Sequence, residues 1–516
     1  MRRCAVKKSK TISFTLAIVL VLALCFSILA CAAPESEPTV PLATVTGPIP
    51  VTADSRPFNP SGGTDFESLG YVEEEYFISG KANEYKLVAP DDTSNFAVEV
   101  RAPYLPYTTR MLVRRPASTK DFSGNVIVEW LNPTASYDLA TGWTCFHQHM
   151  MRNGDIWVGI TCRGVTLDAL KKFDPSRYEP LYLARERAQA WDIFTQVGEL
   201  LKSNDQSNPL HAFKVKYLYG HGYSQTGAMM ITYINFFHPN AKLGNGKPIY
   251  DGYLPAAAGG PLHINDDLLA GPSDLGIGGF EPTDPRRVIQ PSGVPVVHML
   301  TETEIAFPSP DFSGIPTQRP DSDTSPDLFR RYEIAGGCHF NTYAVIWGPP
   351  AADQIKVLGT ACPWCCEGTL SDVPEHFMFD ACLANLEQWV REGTLPPKPD
   401  RIQVENGVII RDEFGNAKGG LRSPYVDVPV KTYTPMSISC PACEPVALCA
   451  LCSAWCVILG NMDPFDESQL KQLYGNHDGY VAKFNVAADK MFQDGFVTEA
   501  DLEAMKSGAA ESNVLR

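Results

Sequence analysis

Lys216-Tyr217-Leu218-Tyr219-Gly220-His221-Gly222-Tyr223-Ser224-Gln225-Thr226-Gly227-Ala228-Met229-Met230 is the stretch on which the reading of this chain turns. Val215 to Tyr219 is a short apolar run with the length and composition of a buried strand. Glycines then bracket a serine, and Gly227 to Ile234 reads as a helix. A strand, a tight glycine-lined turn with a central serine and a helix together form the setting of a nucleophile elbow. The chemistry explains the composition. A serine on so sharp a turn sits in strained backbone, so its neighbours must be small. The following helix points its positive end at the place where an oxyanion would form. One position is irregular, because Thr226 stands where a second glycine is expected.

On either side of it, buried strands are expected at 125–131, 155–161, 250–256, 294–300 and 329–335. Helices are expected at 146–152, 184–201 and 377–393. Strands alternating with helices imply an α/β fold, a mostly parallel sheet with helices on both faces. Before it, 71–80, 96–102 and 108–116 alternate as antiparallel strands with one wet face do. Residues 257–292 and 306–328 are rich in Gly, Pro, Ser and Asp and read as long loops. Residues 394–432 read as hairpins, and helices are expected at 466–473, 479–494 and 498–506.

A serine hydroxyl needs a base, and the base needs a carboxylate. In doubly wound sheets such groups gather at the carboxyl ends of strands. His339, placed after a strand and the pair Gly336-Gly337, is the expected base. His298 lies within a strand and reads as a core residue, His376 is the reserve, and His221 sits in the elbow where it can line the pocket. The acid is expected after strand 294–300, at Glu302 or Glu304, with Glu304 favoured because it clears the strand end. The backbone N–H of Gln225 is one expected oxyanion donor. The second is sought around Leu131-Asn132, where Asn132-Pro133 reads equally as a turn. Nothing in this chemistry requires a cofactor or a metal.

The chain has 516 residues and a formal net charge of −16. The only strongly basic stretch is the leader, with Arg2, Arg3, Lys7, Lys8 and Lys10, so the rest is more acidic still. Such a chain repels phosphates and is not expected to bind nucleic acid. The basic leader precedes an apolar run, Ile12 to Ala30, and Ile28-Leu29-Ala30-Cys31 resembles a bacterial lipobox. Residues 1–30 therefore read as a lipoprotein signal peptide, with Cys31 as the lipidation site and membrane attachment outside the cytoplasm. Ordinary secretion after an A-x-A cleavage and an uncleaved anchor are the alternatives. Residues 31–60 read as a flexible tether. Residues 61–516 read as one domain with a cysteine-rich C-terminal extension over 432–516.

Fifteen cysteines are present. In an oxidising compartment those beyond the leader are expected to form disulfides. Cys440, Cys443, Cys449 and Cys452 have paired spacings that also suit a structural zinc.

Val126 to Asn132, Asp174-Pro175-Ser176-Arg177-Tyr178, Tyr250-Asp251-Gly252, Thr301-Glu302-Thr303-Glu304, Tyr332 to His339 and Asp412 to Arg422 together resemble the bacterial alpha/beta hydrolase domain-containing proteins. The resemblance runs from about Gly70 to near Lys506. It implies the α/β-hydrolase fold and a serine-hydrolase triad of Ser224, His339 and an acid within Glu302/Glu304, but it supplies no substrate. The cysteine cluster at 440–456 departs from the family pattern. The expected function is an extracytoplasmic serine hydrolase acting on a small-molecule ester. A catalytically inactive binding lipoprotein and an acyltransferase with the same triad are the alternatives.

Overall fold

The computed structural model describes residues 42–265, 280–309, 312–359, 366–438 and 455–516. The leader, Cys31, Cys362, Cys365 and the cysteines at 440, 443, 449 and 452 lie outside the described residues.

Eleven strands form one sheet: β1 (Thr44–Thr46), β2 (Tyr71–Leu87), β3 (Val98–Pro116), β4 (Asn125–Trp130), β5 (Ile156–Ile160), β6 (Tyr182–Leu183), β7 (Tyr217–Tyr223), β8 (Gly252–Ala256), β9 (Val296–Thr301), β10 (Ser322–Thr324) and β11 (Asp327–Ile334). Their order is β1-β2-β3-β5-β4-β7-β8-β9-β11-β10, with β6 beside β3. From β5 to β11 the pairing is parallel. β1, β2, β3 and β6 at one edge and β10 at the other are antiparallel.

The parallel strands read as nearly unbroken apolar runs because both of their faces are covered. Alternation along β4 assigns the faces. Val126, Val128 and Trp130 pack with Trp191, Phe194 and Tyr233 on one side. Ile127 and Leu131 pack with Trp143, Phe146 and Phe379 on the other. The first side is covered by the helices Ala190–Lys202 and Gln225–Phe236. The second is covered by α1 (Thr141–Asn153) and α2 (His376–Glu392). The C-terminal helices Glu467–Tyr474, His477–Gln493 and Glu499–Glu511 add Tyr474, Phe484 and Met505 to this second core. The helices from Glu467 onward are therefore part of the domain's packing. Between β4 and β7 the strand order reverses, which is where open α/β sheets bind ligands.

Three expectations are corrected. Residues 42–60 do not form a tether: Thr44–Thr46 pair with Phe77–Ser79, and Phe58 is buried against Tyr137 and Phe173. Their Pro and Thr content suggested loose chain, but an edge strand needs few residues to pair. The two short strands expected at 96–102 and 108–116 are one long strand, β3. Register irregularities around Ala82–Tyr85 of its partner accompany Pro103 and Pro106 without ending the ladder. The described cysteines are mostly free. Cys366 and Cys456 form a disulfide, whereas Cys145, Cys162, Cys338 and Cys382 are unpaired thiols. These four sit singly on separate elements, and the last three pack in the cores as small apolar residues.

Candidate active site

The elbow is built from close approaches that admit no side chain. A Cβ on Gly222 would lie 2.1 Å from the Thr226 carbonyl oxygen, and one on Gly227 would lie 2.3 Å from that of Ala256. Ser224 occupies φ 57° and ψ −120°, a conformation that costs on the order of 1–3 kcal/mol for a residue with a Cβ. Its N–H donates to the Ala256 carbonyl at 2.9 Å, which ties the turn to the end of β8. The irregular Thr226 has a local reason. Its hydroxyl accepts from the Tyr223 N–H and donates to the Tyr223 carbonyl, both at 3.1 Å. The side chain thus closes the turn that glycine would leave open. The helix Gln225–Phe236 starts immediately after Ser224, so the Gln225 amide stands at its positive end.

At the end of β9 the chain turns into a short helix, Glu302–Ala306. Residues two apart are opposed by roughly 200° in a helix rather than aligned as in a strand. Glu302 and Glu304 therefore separate. Glu302 accepts the Gly336 N–H at 2.7 Å and pairs with Arg411 at 2.7 Å. Glu304 Oε2 accepts from the Thr301 N–H and hydroxyl, each at 2.7 Å, and its Oε1 lies 2.6 Å from His339 Nδ1. His339 Nε2 lies 2.8 Å from Ser224 Oγ. An ionised carboxylate only accepts, so Nδ1 carries the proton and Nε2 faces the hydroxyl as an acceptor.

The histidine is held by its backbone as well. Its N–H donates to Thr303 Oγ1 at 3.0 Å, and its carbonyl accepts the Tyr223 hydroxyl at 2.7 Å. Glu375, which sequence reasoning missed, braces the preceding loop. It accepts the Cys338 N–H at 2.9 Å and Asn341 Nδ2 at 2.9 Å, and burial holds its carboxyl well above the usual range. Only its proximity in chain to His376 distinguished it in the sequence.

The other candidates lie elsewhere. His376 stacks on Tyr343 at 4.0 Å, and burial pushes its imidazole down to about 3. His298 is a core residue as expected, bonded through Nε2 to the Ala258 carbonyl at 2.8 Å. His221 does not line the pocket. Its Nδ1 is 2.7 Å from the Leu254 carbonyl, and its ring packs edge-on against Phe146 in the second core. The Asn132 expectation is also corrected. Its N–H donates to the Leu139 carbonyl at 2.8 Å, and its Nδ2 donates to the Tyr223 carbonyl at 2.8 Å. The backbone bridge to Leu139 consumes the amide, and the side chain braces the elbow from β4. Asn132-Pro133 is the turn that its dipeptide also suggested.

A pocket over half-buried Ser224 is walled by Gln225, Ala228, Ala257 to Leu262 and Phe312. Ala257 at φ 50° is a second strained non-glycine residue there, and its N–H is fixed by the Met299 carbonyl at 2.8 Å. Among the described residues the walls are small and mostly apolar, and none of them carries a charge.

Among solved structures, the chain is similar to the carboxylesterase Cest-2923 of Lactobacillus plantarum at 13% identity, over 38% of this chain and 68% of that one, with a TM-score of 0.26. It is similar to the esterase Est22 at 14% identity, over 46% and 66%, with a TM-score of 0.26. It is also similar to acetyl xylan esterase 1 of Thermoanaerobacterium at 9% identity, over 53% and 79%, with a TM-score of 0.27. No curated protein sequence matches significantly. The family model described as an alpha/beta hydrolase domain matches residues 45–507, nearly the whole of the described chain. The chain belongs to the alpha/beta hydrolase domain family.

Proposed function

We propose that this hydrolase is an extracytoplasmic serine esterase that cleaves a carboxylic ester through an acyl-enzyme on Ser224. The observation that carries the reading is the unbroken line from Glu304 Oε1 through His339 to Ser224 Oγ, with contacts of 2.6 and 2.8 Å. In this reading Oγ attacks the ester carbonyl carbon while its proton passes to His339 Nε2. Glu304 fixes the imidazole tautomer and stabilises the imidazolium that forms. The Gln225 amide, at the positive end of its helix, faces the developing oxyanion. As the tetrahedral intermediate collapses, His339 returns the proton to the leaving alcohol. Water then repeats the sequence, which releases the acid and restores Ser224.

The leader and Cys31 support export and attachment to a membrane by a lipid, with secretion as the alternative. The Cys366–Cys456 disulfide is compatible with an oxidising compartment. A fluorophosphonate probe tests the chemistry. It should label the wild-type protein and leave Ser224→Ala unlabelled; equal labelling of both would remove Ser224 from the mechanism. Loss of membrane partitioning on Cys31→Ala tests the anchor, and unchanged partitioning would exclude it.

A further inference from the structure

At the opposite ends of the strands from Ser224 there is a second, larger cavity of about 800 Å³. Asn125 at the start of β4 lines it, together with His149 and Asn153 of α1 and Glu387 of α2. It shares no lining residue with the pocket over Ser224. His149 and Glu387 of its wall and the adjoining Asp155 each hold one nitrogen or oxygen within 4.8 Å of the others. All three side chains are buried, with His149 at 6%, Asp155 at 0% and Glu387 at 3% exposure.

The carboxylates are under-satisfied for groups so deeply buried. Asp155 Oδ1 accepts from Ser123 Oγ at 2.6 Å and Asn125 Nδ2 at 3.2 Å. Asp155 Oδ2 and Glu387 Oε1 are buried without a donor at full hydrogen-bond geometry among the described residues, and the Glu387 carboxyl leans only on Asn125 and on Asp155 itself. Nearby cations do not neutralise them. Arg152 is engaged by Asp380 at 3.2 Å and Asp501 at 2.9 Å, and Arg391 pairs with Glu392 at 3.5 Å and reaches Glu387 only through space. Unpaired buried carboxylate oxygens are costly and need either a proton or a cation.

We propose that His149, Asp155 and Glu387 form a binding site for a divalent transition-type cation such as zinc or manganese. Two carboxylates balance its charge, and one imidazole with two oxygens is a donor set such ions accept, whereas calcium takes more oxygens. His149 Nε2 and Glu387 Oε2 are 3.5 Å apart, a separation that two ligands of one ion adopt. Asn153 Nδ2 lies 2.9 Å from His149 Nε2. Turning that amide over presents its carbonyl oxygen to the same point as a fourth donor. The ion would pin α1, the start of β5 and α2 together beneath the sheet, far from the serine. The site is a fastening, so its readout is binding and stability rather than turnover.

The test uses full-length protein stripped with EDTA, then titrated with zinc by calorimetry, beside Asp155→Asn and Glu387→Gln. One binding equivalent is expected in the wild type and its loss in both variants. A rise in Tm of about 5 °C is expected at saturating zinc in the wild type alone. Cobalt(II) substitution of the wild type needs no variant and separates this site from the cysteines. Visible ligand-field bands without sulfur-to-metal charge transfer are expected of nitrogen and oxygen ligands. Thiolate bands alone would overturn the proposal. So would equal binding by the wild type and both variants, or no zinc-dependent shift in Tm, which would leave a proton shared between Asp155 and Glu387 in the ion's place.

Discussion

The hydroxyl of Tyr223 donates to the backbone carbonyl of His339 at 2.7 Å, which joins the residue before the serine to the histidine that faces it. Both groups are buried, and the two rings meet edge to face at 5.3 Å. The separation between Oγ and Nε2 is therefore set partly by a contact outside the Ser224–His339–Glu304 line. Tyr223→Phe keeps the ring and removes the hydrogen bond, worth about 1 kcal/mol. The expected result is a fall in kcat of up to about fivefold with KM nearly unchanged. Steady-state kinetics on a p-nitrophenyl ester checks this, and an unaltered kcat would show that the contact does not position His339.

Thr226 predicts a stability effect. Thr226→Val keeps the shape but leaves the Tyr223 N–H without its acceptor inside the elbow. The expected loss is about 1–3 kcal/mol, read from urea denaturation. Thr226→Ser keeps the hydroxyl and should lose much less. Equal losses would point to packing of the methyl group instead.

The two glutamates after β9 should give opposite signatures. Glu304→Gln is expected to lower kcat by about 10³-fold or more with the fold retained, because an amide no longer fixes the tautomer. Glu302→Gln weakens the contact with Arg411 and the Gly336 amide. It should lower Tm and leave kcat within a few fold. The reverse pattern would move the acid to Glu302.

The buried histidines set an acid limit to stability. Burial lowers His221 and His238 to about 4, and His298 and His376 to about 3. Below pH 6.5 the unfolded chain takes up protons that the folded chain refuses, so these groups lose stability as pH falls from 6.5 toward 4. Burial raises Glu129 and Glu387 to about 7 and Asp192 to about 6, and these act in the opposite sense over the same range. A single substitution isolates one group. His376→Phe keeps the stack on Tyr343 and should flatten the pH dependence of unfolding between pH 6 and 4 by about 1.4 kcal/mol per pH unit. An unchanged slope in a pH series of denaturant melts would contradict the burial of His376 as a neutral ring.

The sequence made some features readable and hid others for physical reasons. The parallel strands were legible because burial on both faces leaves little but apolar residues along them. Ser224 and His339 stood out because each follows such a strand with glycines beside it. The acid was ambiguous because its answer depended on whether the chain stayed extended past Thr301, and it turned helical. Asn132 was misassigned because the bond its amide makes is to Leu139, across a loop whose closure no local pattern announces. Glu375 and the cluster at His149, Asp155 and Glu387 were invisible for a related reason. Each draws its meaning from elements far apart in the chain. The edge strand at Thr44–Thr46 is three residues long, below what alternation can reveal.

The proposed mechanism requires an acyl group on Ser224. Intact mass spectrometry after rapid acid quenching of the enzyme with a p-nitrophenyl ester, followed by peptide mapping, tests it most directly. One acyl adduct per chain is expected, mapped to Ser224 and absent from Ser224→Ala. An adduct on another residue, or full turnover by Ser224→Ala, would contradict it.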